Sequence, residues 1–285
     1  MSLPSVTGLD HYIIRTNDLA QSSDTYARLG FGLASQGRHH KGTRNQTIIL
    51  DATYLELLYF PDELKATSRF NTFADAYEGA VSVALQTNDS FAVHAELKAL
   101  GFDPVEPISG GRPVVLPSGS FDASWANTDF PNEVVALPSF FTCGHHTRQL
   151  VYRPEWQHHA NTARRVERVI VVHPEPASLA DAYTRLFGEL SVSVRAGQLD
   201  VRRGNLRLQV LDVDTFSRRF PGIDIPPGHR HGWFAGSVIG VRDLDRTRTV
   251  LVERGVPFEA GAEGALVPPL HATAGALLAF EQESN

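Results

Sequence analysis

Cysteine, excess positive charge and long apolar runs are all scarce in this sequence. The single cysteine, Cys143, cannot close an intramolecular disulfide, which excludes a disulfide-stapled fold. No stretch approaches the roughly eighteen consecutive apolar residues of a membrane span. No basic segment followed by an apolar one opens the chain, so the expected location is cytoplasmic and no membrane partner is expected. With 26 Lys and Arg against 32 Asp and Glu the formal charge is -6, and the arginines are scattered, so nucleic acid finds no basic patch. A glycine-rich nucleotide loop is also missing, because SGGRP has neither a following Lys-Ser/Thr nor dinucleotide spacing. What is present is a 285-residue chain, 42% hydrophobic and 20% charged, an ordinary balance for a soluble protein with a sizeable core. The expected partner is a small molecule, with a homodimer left open.

One phrase recurs four times along the chain. It reads as a short β-rich strand, an Asp-led or Pro-led helix, a glycine just past the helix, and further strands. The copies are LDHYIIRTNDLAQSSDTYARLGF, AVSVALQTNDSFAVHAELKALGF, VERVIVVHPEPASLADAYTRLFG and AGSVIGVRDLDRTRTVLVERGVPF. Gly30, Gly101, Gly188 and Gly255 mark the helix ends, where a left-handed residue is favoured. Final strands are expected at YLELLYF, LPSFFTC, LRLQVLDV and GALLAFEQ. Each unit therefore reads as βαβββ, and the fold class is α+β. A Pro-, His- and Asn-containing stretch, RPEWQHHANTARR, separates the halves, giving expected domains at 1-155 and 163-285.

This organisation resembles the vicinal oxygen chelate superfamily (glyoxalases, bleomycin-resistance proteins, extradiol dioxygenases). The segments LDHYIIRTNDL, LGF, GRHHKGTRN, YLELL and LPSFF, with the later HHANTARRVERV, resemble its glyoxalase-like domain family. The resemblance implies four βαβββ modules paired into two half-barrel halves, with a site inside the barrel. It further implies a metal held by a His from a first strand and a Glu from a last strand, each supplied by two modules.

In the first module His11 and Glu56 match those positions. The strand YLELLYF is apolar on both faces apart from Glu56, and a buried carboxylate needs a cation, a metal or several donors. Tyr54, Glu56, Leu58 and Phe60 share one face, and on the first strand His11 alternates with Leu9 and Ile13. Imidazole and carboxylate together suit one divalent metal, Zn, Fe, Mn, Ni or Co, with His39, His40, His145 or His146 as third ligand. The second module breaks the pattern, with Ser82 at the His position and Phe140, Phe141 or Thr142 at the Glu position. Arg168, Gln209, Gly236 and Ala279 occupy the matching places in the second half, which reads as a degenerate copy.

Donors in the GRHHKGTRN turn (His40, Thr43, Arg44, Asn45) could hold a ligand carboxylate or carbonyl, with Phe141 as an apolar wall. His11 and Glu56 are the catalytic candidates for a lyase, isomerase or dioxygenase acting on a small carbonyl- or oxygen-bearing molecule. The rival reading is a protein that sequesters a small compound without chemistry. GHRHGW has a metal-like composition but reads as a solvated loop, and Cys143 as a buried thiol.

Overall fold

The computed structural model describes residues 2–65, 77–132, 134, 138–229 and 232–283. In the first half the strands are β1 (Val6–Thr16), β2 (Gly37–Arg38), β3 (Arg44–Ile49), β4 (Tyr54–Tyr59), β5 (Gly79–Thr87), β6 (Ile108–Leu116), β7 (Gly119–Asn127) and β8 (Ser139–His145). Helix α1 (Leu19–Arg28) follows β1, the short α2 (Asp62–Lys65) follows β4, and α3 (Ser90–Ala99) follows β5. The second half contains β9 (Ala163–Val172), α4 (Ala180–Phe187), β10 (Val192–Arg195), β11 (Gln198–Arg203), β12 (Leu206–Leu211), α5 (Val213–Arg219), β13 (Trp233–Val241), α6 (Leu244–Glu253), β14 (Glu259–Ala260), β15 (Leu266–Val267) and β16 (Leu277–Gln282). Of GHRHGW, Arg230 and His231 lie outside the described residues, as does Leu137 of LPSFFTC.

The four expected βαβββ modules are present. Asp18, Asp89 and Asp243 each cap a helix by accepting from a backbone N–H of its first turn. The four marker glycines all have positive φ, from +63° to +97°, which a side chain would strain. Each half is one eight-stranded mixed sheet, ordered β2-β3-β4-β1-β5-β8-β7-β6 and β10-β11-β12-β9-β13-β16-β15-β14. Within a module the first and last strands are parallel, and the two modules of a half join through an antiparallel pair, β1 with β5 and β9 with β13. The first sheet curls until its ends meet: the His40 N–H donates to the Gly111 carbonyl (3.0 Å), joining the β2 end to the β6 end. A Cβ on Gly111 would lie 3.0 Å from the Ala123 carbonyl oxygen and 3.1 Å from the His40 ring, so the backbones pass closely at this seam.

The sheet faces turned away from the barrel interior form one core shared by both halves, including Leu9, Tyr12, Leu57, Val83, Tyr183, Leu208, Phe234 and Phe280. Across it the Tyr12 and Ser237 hydroxyls lie 2.9 Å apart, and Asn205 exchanges two hydrogen bonds with the Leu9 backbone (2.8 and 3.0 Å). Leu9 thus faces the core rather than sharing a face with His11, which corrects the expected alternation. The cause is a bulge: Leu9 pairs with Leu85 and His11 with Ala84, leaving Asp10 as the extra residue. Such a bulge resets the facing of the strand and turns two successive side chains to one side.

Candidate active site

A cavity of about 570 Å³ opens inside the first half-barrel. Its floor takes shape from two strands. On β4 the period of two sends Tyr54, Glu56 and Leu58, with Phe60 beyond the strand end, into the cavity, and Leu55 and Leu57 into the shared core. On β1 the bulge sets Asp10 beside His11, and both are buried. Asp10 Oδ1 lies 2.8 Å from His11 Nδ1, so this nitrogen carries the proton and Nε2 faces Glu56 Oε2 at 3.5 Å. The Tyr54 ring stacks on the imidazole at 4.2 Å, and Phe141 meets it edge-on at 5.5 Å.

On the other side of Glu56 stands His39, with Nε2 3.7 Å from Oε1. The turn carrying it closes between β2 and β3 with Gly42 at φ +102°. His39 Nδ1 lies 2.7 Å from the Thr43 hydroxyl, and its Nε2 lies 3.3 Å from Asn45 Nδ2. Asn45 Nδ2 also donates to Glu56 Oε1 at 2.7 Å. An amide N–H pointing at Nε2 places the lone pair there and the ring proton on Nδ1, toward Thr43. One carboxylate thus lies between two histidines, one backed by a second carboxylate and the other by a hydroxyl.

The electrostatics follow from those partners. For Asp10, burial alone would raise the pKa, but the charge of His145 and hydrogen bonds from His11 and His145 hold it well below the carboxylate range. Burial opposes charging of His11, yet its hydrogen bonds to Asp10 and Glu56 raise its pKa above the usual histidine value. Burial likewise works against Glu56 as an anion, and the His11 hydrogen bond and charge with the Asn45 amide bring it down to about 2. His39 goes the other way: burial, only partly offset by the charge of Glu56 and reinforced by Arg112, lowers its pKa.

The remaining sequence candidates fall in different places. His40 lines the mouth, half exposed and 3.0 Å from Asp122. Thr43 is engaged by His39, Asn45 is buried at the floor, and Arg44 is exposed. Phe141 faces the cavity at the place where the second module would offer a carboxylate, and the Ser82 hydroxyl donates to the Ser139 carbonyl (2.9 Å). His145 lies behind His11, with Nε2 3.1 Å from Asp10 and 3.5 Å from Cys143 Sγ, and its buried Nδ1 has no partner. His146 is exposed.

Several site residues were not legible beforehand. Arg148 donates to Asp10 Oδ2 (3.0 Å) while lying over the Tyr152 ring, and the Tyr152 hydroxyl donates to the Asp10 carbonyl (3.1 Å). Both come from the segment joining the halves. Arg112 lines the cavity from β6. Only Asp10 carried a signal, as a carboxylate in a strand apolar on both faces, the argument that singled out Glu56.

The second half has no such floor. Gln209, at the Glu56 position, is clamped by Asp200 (2.8 Å) and by Arg219 of α5 (3.0 Å). Arg168, at the His11 position, pairs with Glu281. Phe216 and Phe220, with Trp233 and Ala279, pack into the space that a ligand would occupy.

The superfamily's metal can be tested against these donors. Two of its four ligand positions, Ser82 and Phe141, carry no donor used that way, and the phenyl ring fills the space facing His11. Among the described residues the set of three donors close enough to hold a metal ion is Asp10, Cys143 and His145, with atoms within 4.8 Å of one another. That set is displaced from the His11–Glu56 floor, and its carboxylate already accepts from His11, His145 and the Arg148 guanidinium, which would compete with a cation. The residues present do not fit the superfamily's metal. No helix among the described residues is long and apolar enough to cross a membrane.

Comparison with known proteins places this architecture. Over its full length the chain is similar in structure to a hypothetical protein from Staphylococcus aureus (TM-score 0.66, 17% identity, 98% of this chain and 100% of that one). It is also similar to a mutant 4-hydroxymandelate synthase from Streptomyces coelicolor (0.57, 11%, 99% and 95%). A xylose isomerase-like TIM barrel/4-hydroxyphenylpyruvate dioxygenase fusion protein matches all of this chain with half of its own length (0.61, 14%). At these identities the likeness is one of fold. No curated protein sequence matches. The profile of the Glyoxalase-like domain family matches residues 9–187, more than half of the chain, which therefore belongs to that family.

Proposed function

We propose that the first-half cavity is an active site for proton transfer on a small carbonyl compound, of isomerase or lyase type, and that it works without a metal. The observation that carries this reading is the pair of histidines on either side of Glu56, backed so as to favour opposite protonation. Environments that push two titratable groups apart assign acid and base. His11, between Asp10 and Glu56, is the imidazolium that donates from Nε2 to the substrate carbonyl oxygen. At 3.5 Å its contact with Glu56 is longer than a good hydrogen bond, so a substrate oxygen can replace it. His39, neutral, takes the proton from the adjacent carbon through Nε2, displacing the weak Asn45 contact. Glu56 stabilises the imidazolium that then forms on His39, while His11 holds the enolate oxygen. Return of the proton to another carbon gives isomerisation, and loss of a β-substituent gives elimination.

The test is solvent deuterium exchange into small aldehydes, ketones and oxo acids, followed by proton NMR. Wild-type protein should catalyse exchange beside the carbonyl, and His39→Gln or Glu56→Gln should slow it about a hundredfold or more. Exchange untouched by both substitutions would overturn the assignment. A second reading, sequestration without chemistry, is favoured by one observation: Phe141, Leu58, Phe60 and Trp125 make much of the lining apolar. Binding of a panel compound with no exchange would select it.

A further inference from the structure

On β6, Leu116, Val114 and Arg112 alternate inward while Val115 and Pro113 face out. The alternation thus puts an arginine where a core residue would stand. Arg112 is 3% exposed and lines the cavity. Among the described residues it makes no ion pair, and its one hydrogen bond is a long 3.5 Å contact to the neighbouring Pro113 carbonyl. Glu56, the carboxylate that interacts with it electrostatically, is engaged by Asn45 and faces His11. A buried guanidinium without an anion is costly, and burial lowers the Arg112 pKa accordingly.

A second group beside it is equally unsatisfied. Asn45 is 3% exposed, and while its Nδ2 serves Glu56 and His39, its Oδ1 has no partner. Both side chains lie over Gly37: a Cβ there would meet Asn45 Oδ1 at 2.4 Å and Arg112 NH1 at 2.7 Å. The glycine leaves the room that the two groups share.

We propose that Arg112 is the anchor for a carboxylate on the ligand of this cavity, so that the substrate class is a short oxo acid. The carboxylate takes the guanidinium fork in a bidentate pair, and Asn45 Oδ1 accepts from a ligand hydroxyl or a bridging water. Asn45 spans the distance from Arg112 to His39 and Glu56, which places the reacting carbonyl within one or two carbons of the carboxylate. This inference rests on the proton-transfer reading for the position of the carbonyl, but not for the carboxylate.

The experiment compares 2-oxo acids from pyruvate to 2-oxohexanoate with their methyl esters, at millimolar concentration, by saturation-transfer NMR. Wild-type protein should bind the acids at least about tenfold more tightly than the esters, the usual worth of a charged hydrogen bond. Arg112→Gln should bring acids and esters to parity, and Arg112→Lys should restore part of the preference. The two proposals separate cleanly. His39→Gln should slow exchange about a hundredfold or more and keep the acid preference, whereas Arg112→Gln should lose the preference. Should Arg112→Gln fail to fold, competition by acetate against the acids but not the esters in wild-type protein supplies the same reading. Equal binding of acids and esters by the wild type, a preference that survives Arg112→Gln, or no binding of any acid would overturn the proposal.

Discussion

Asp10 is the point where the floor of the cavity is held together, and Asp10→Asn is the sharpest single perturbation of it. The fully buried carboxylate accepts from His11 at 2.8 Å, Arg148 at 3.0 Å and His145 at 3.1 Å. An amide of the same shape keeps one oxygen and must turn its NH2 toward a donor. At least one of the three is then left facing a donor in low dielectric. Removing one member of a buried ion pair costs about 3 to 5 kcal/mol, and the Arg148 share is smaller because that side chain is 37% exposed and screened. At about 2 °C per kcal/mol for a chain of this size, the melting temperature should fall by roughly 6 to 10 °C.

The pH dependence of that loss is more diagnostic than its size. Asp10 is depressed below the ordinary carboxylate value of 3.8, so its contribution is complete above that pH and fades as the solution becomes more acidic. His11 is raised above 6.5, so its contribution is complete below that pH and is lost as pH rises through its folded value. The gap between wild type and Asp10→Asn should therefore be widest between these two values and narrow on either side. On the alkaline side the Arg148 pair keeps it above zero. Urea unfolding across pH 2 to 9, with an NMR titration of His11, measures both. A gap that is flat with pH, or smaller than about 1 kcal/mol, would refute the view of Asp10 as a charged hub.

Other substitutions probe the rest of the molecule. Glu56→Gln should flatten the acid limb of the stability curve, because a carboxylate depressed from 4.5 to about 2 stabilises above pH 4.5 and loses that stabilisation on the way down to its folded value; an unchanged limb in acid unfolding would contradict this. Phe216→Ala should cost about 3 to 5 kcal/mol by urea unfolding while leaving ligand affinity in the first-half cavity intact, and an affinity loss matching that of His39→Gln would break the separation of the two halves. Gly204→Ala would put a Cβ 1.9 Å from the Thr7 carbonyl oxygen at φ +52°, so a loss of about 1 to 3 kcal/mol is expected in thermal unfolding, and a neutral result would mean that the halves do not meet there.

Most of the fold was legible because it rests on local signals that repeat. Three Asp caps, four closing glycines and the period of β4 each act within a few residues, and all four modules follow them. The inward set Tyr54, Glu56, Leu58 and Phe60 was readable for the same reason. What period alone could not give was the bulge at Asp10, since one extra residue in β1 is set by its pairing with β5 and not by its own sequence. That is why Leu9 was expected beside His11 and Asp10 was overlooked. Arg112 lies in SGGRP, which is read only as lacking a nucleotide-loop pattern and which forms part of β6. Arg148 and Tyr152 reach the site through tertiary packing of the segment after β8, which carries no strand or helix signal of its own. Helix α5 was missed although Asp212 caps it through the Thr215 N–H, a signal of the kind recognised elsewhere in the chain.

The asymmetry of the halves has a physical logic. After β12 the chain forms α5, which sends Phe216 inward and Arg219 onto Gln209, so the second barrel is filled by aromatic rings and its polar floor is tied off. After β4 the described chain forms only the four-residue α2, and among the described residues that follow, Phe60 lines the cavity and Tyr77 packs against the same apolar cluster. An open cavity forgoes burial at about 25 cal/mol per Å² of apolar surface, and a floor of buried charges adds desolvation. The open cavity belongs to the first half. The shared core, running from Leu9 and Tyr12 to Phe234 and Phe280, joins it to a half whose buried carboxylate, Asp200, is satisfied by Arg195, Gln198 and Gln209. Duplication of the module pair thus permits a division of labour: one copy packs to completion, and the other keeps unsatisfied groups such as Arg112 and Asn45 Oδ1 exposed to a ligand. Substitutions in the aromatic filling of the second half should therefore lower stability without altering chemistry at His11, His39 and Glu56.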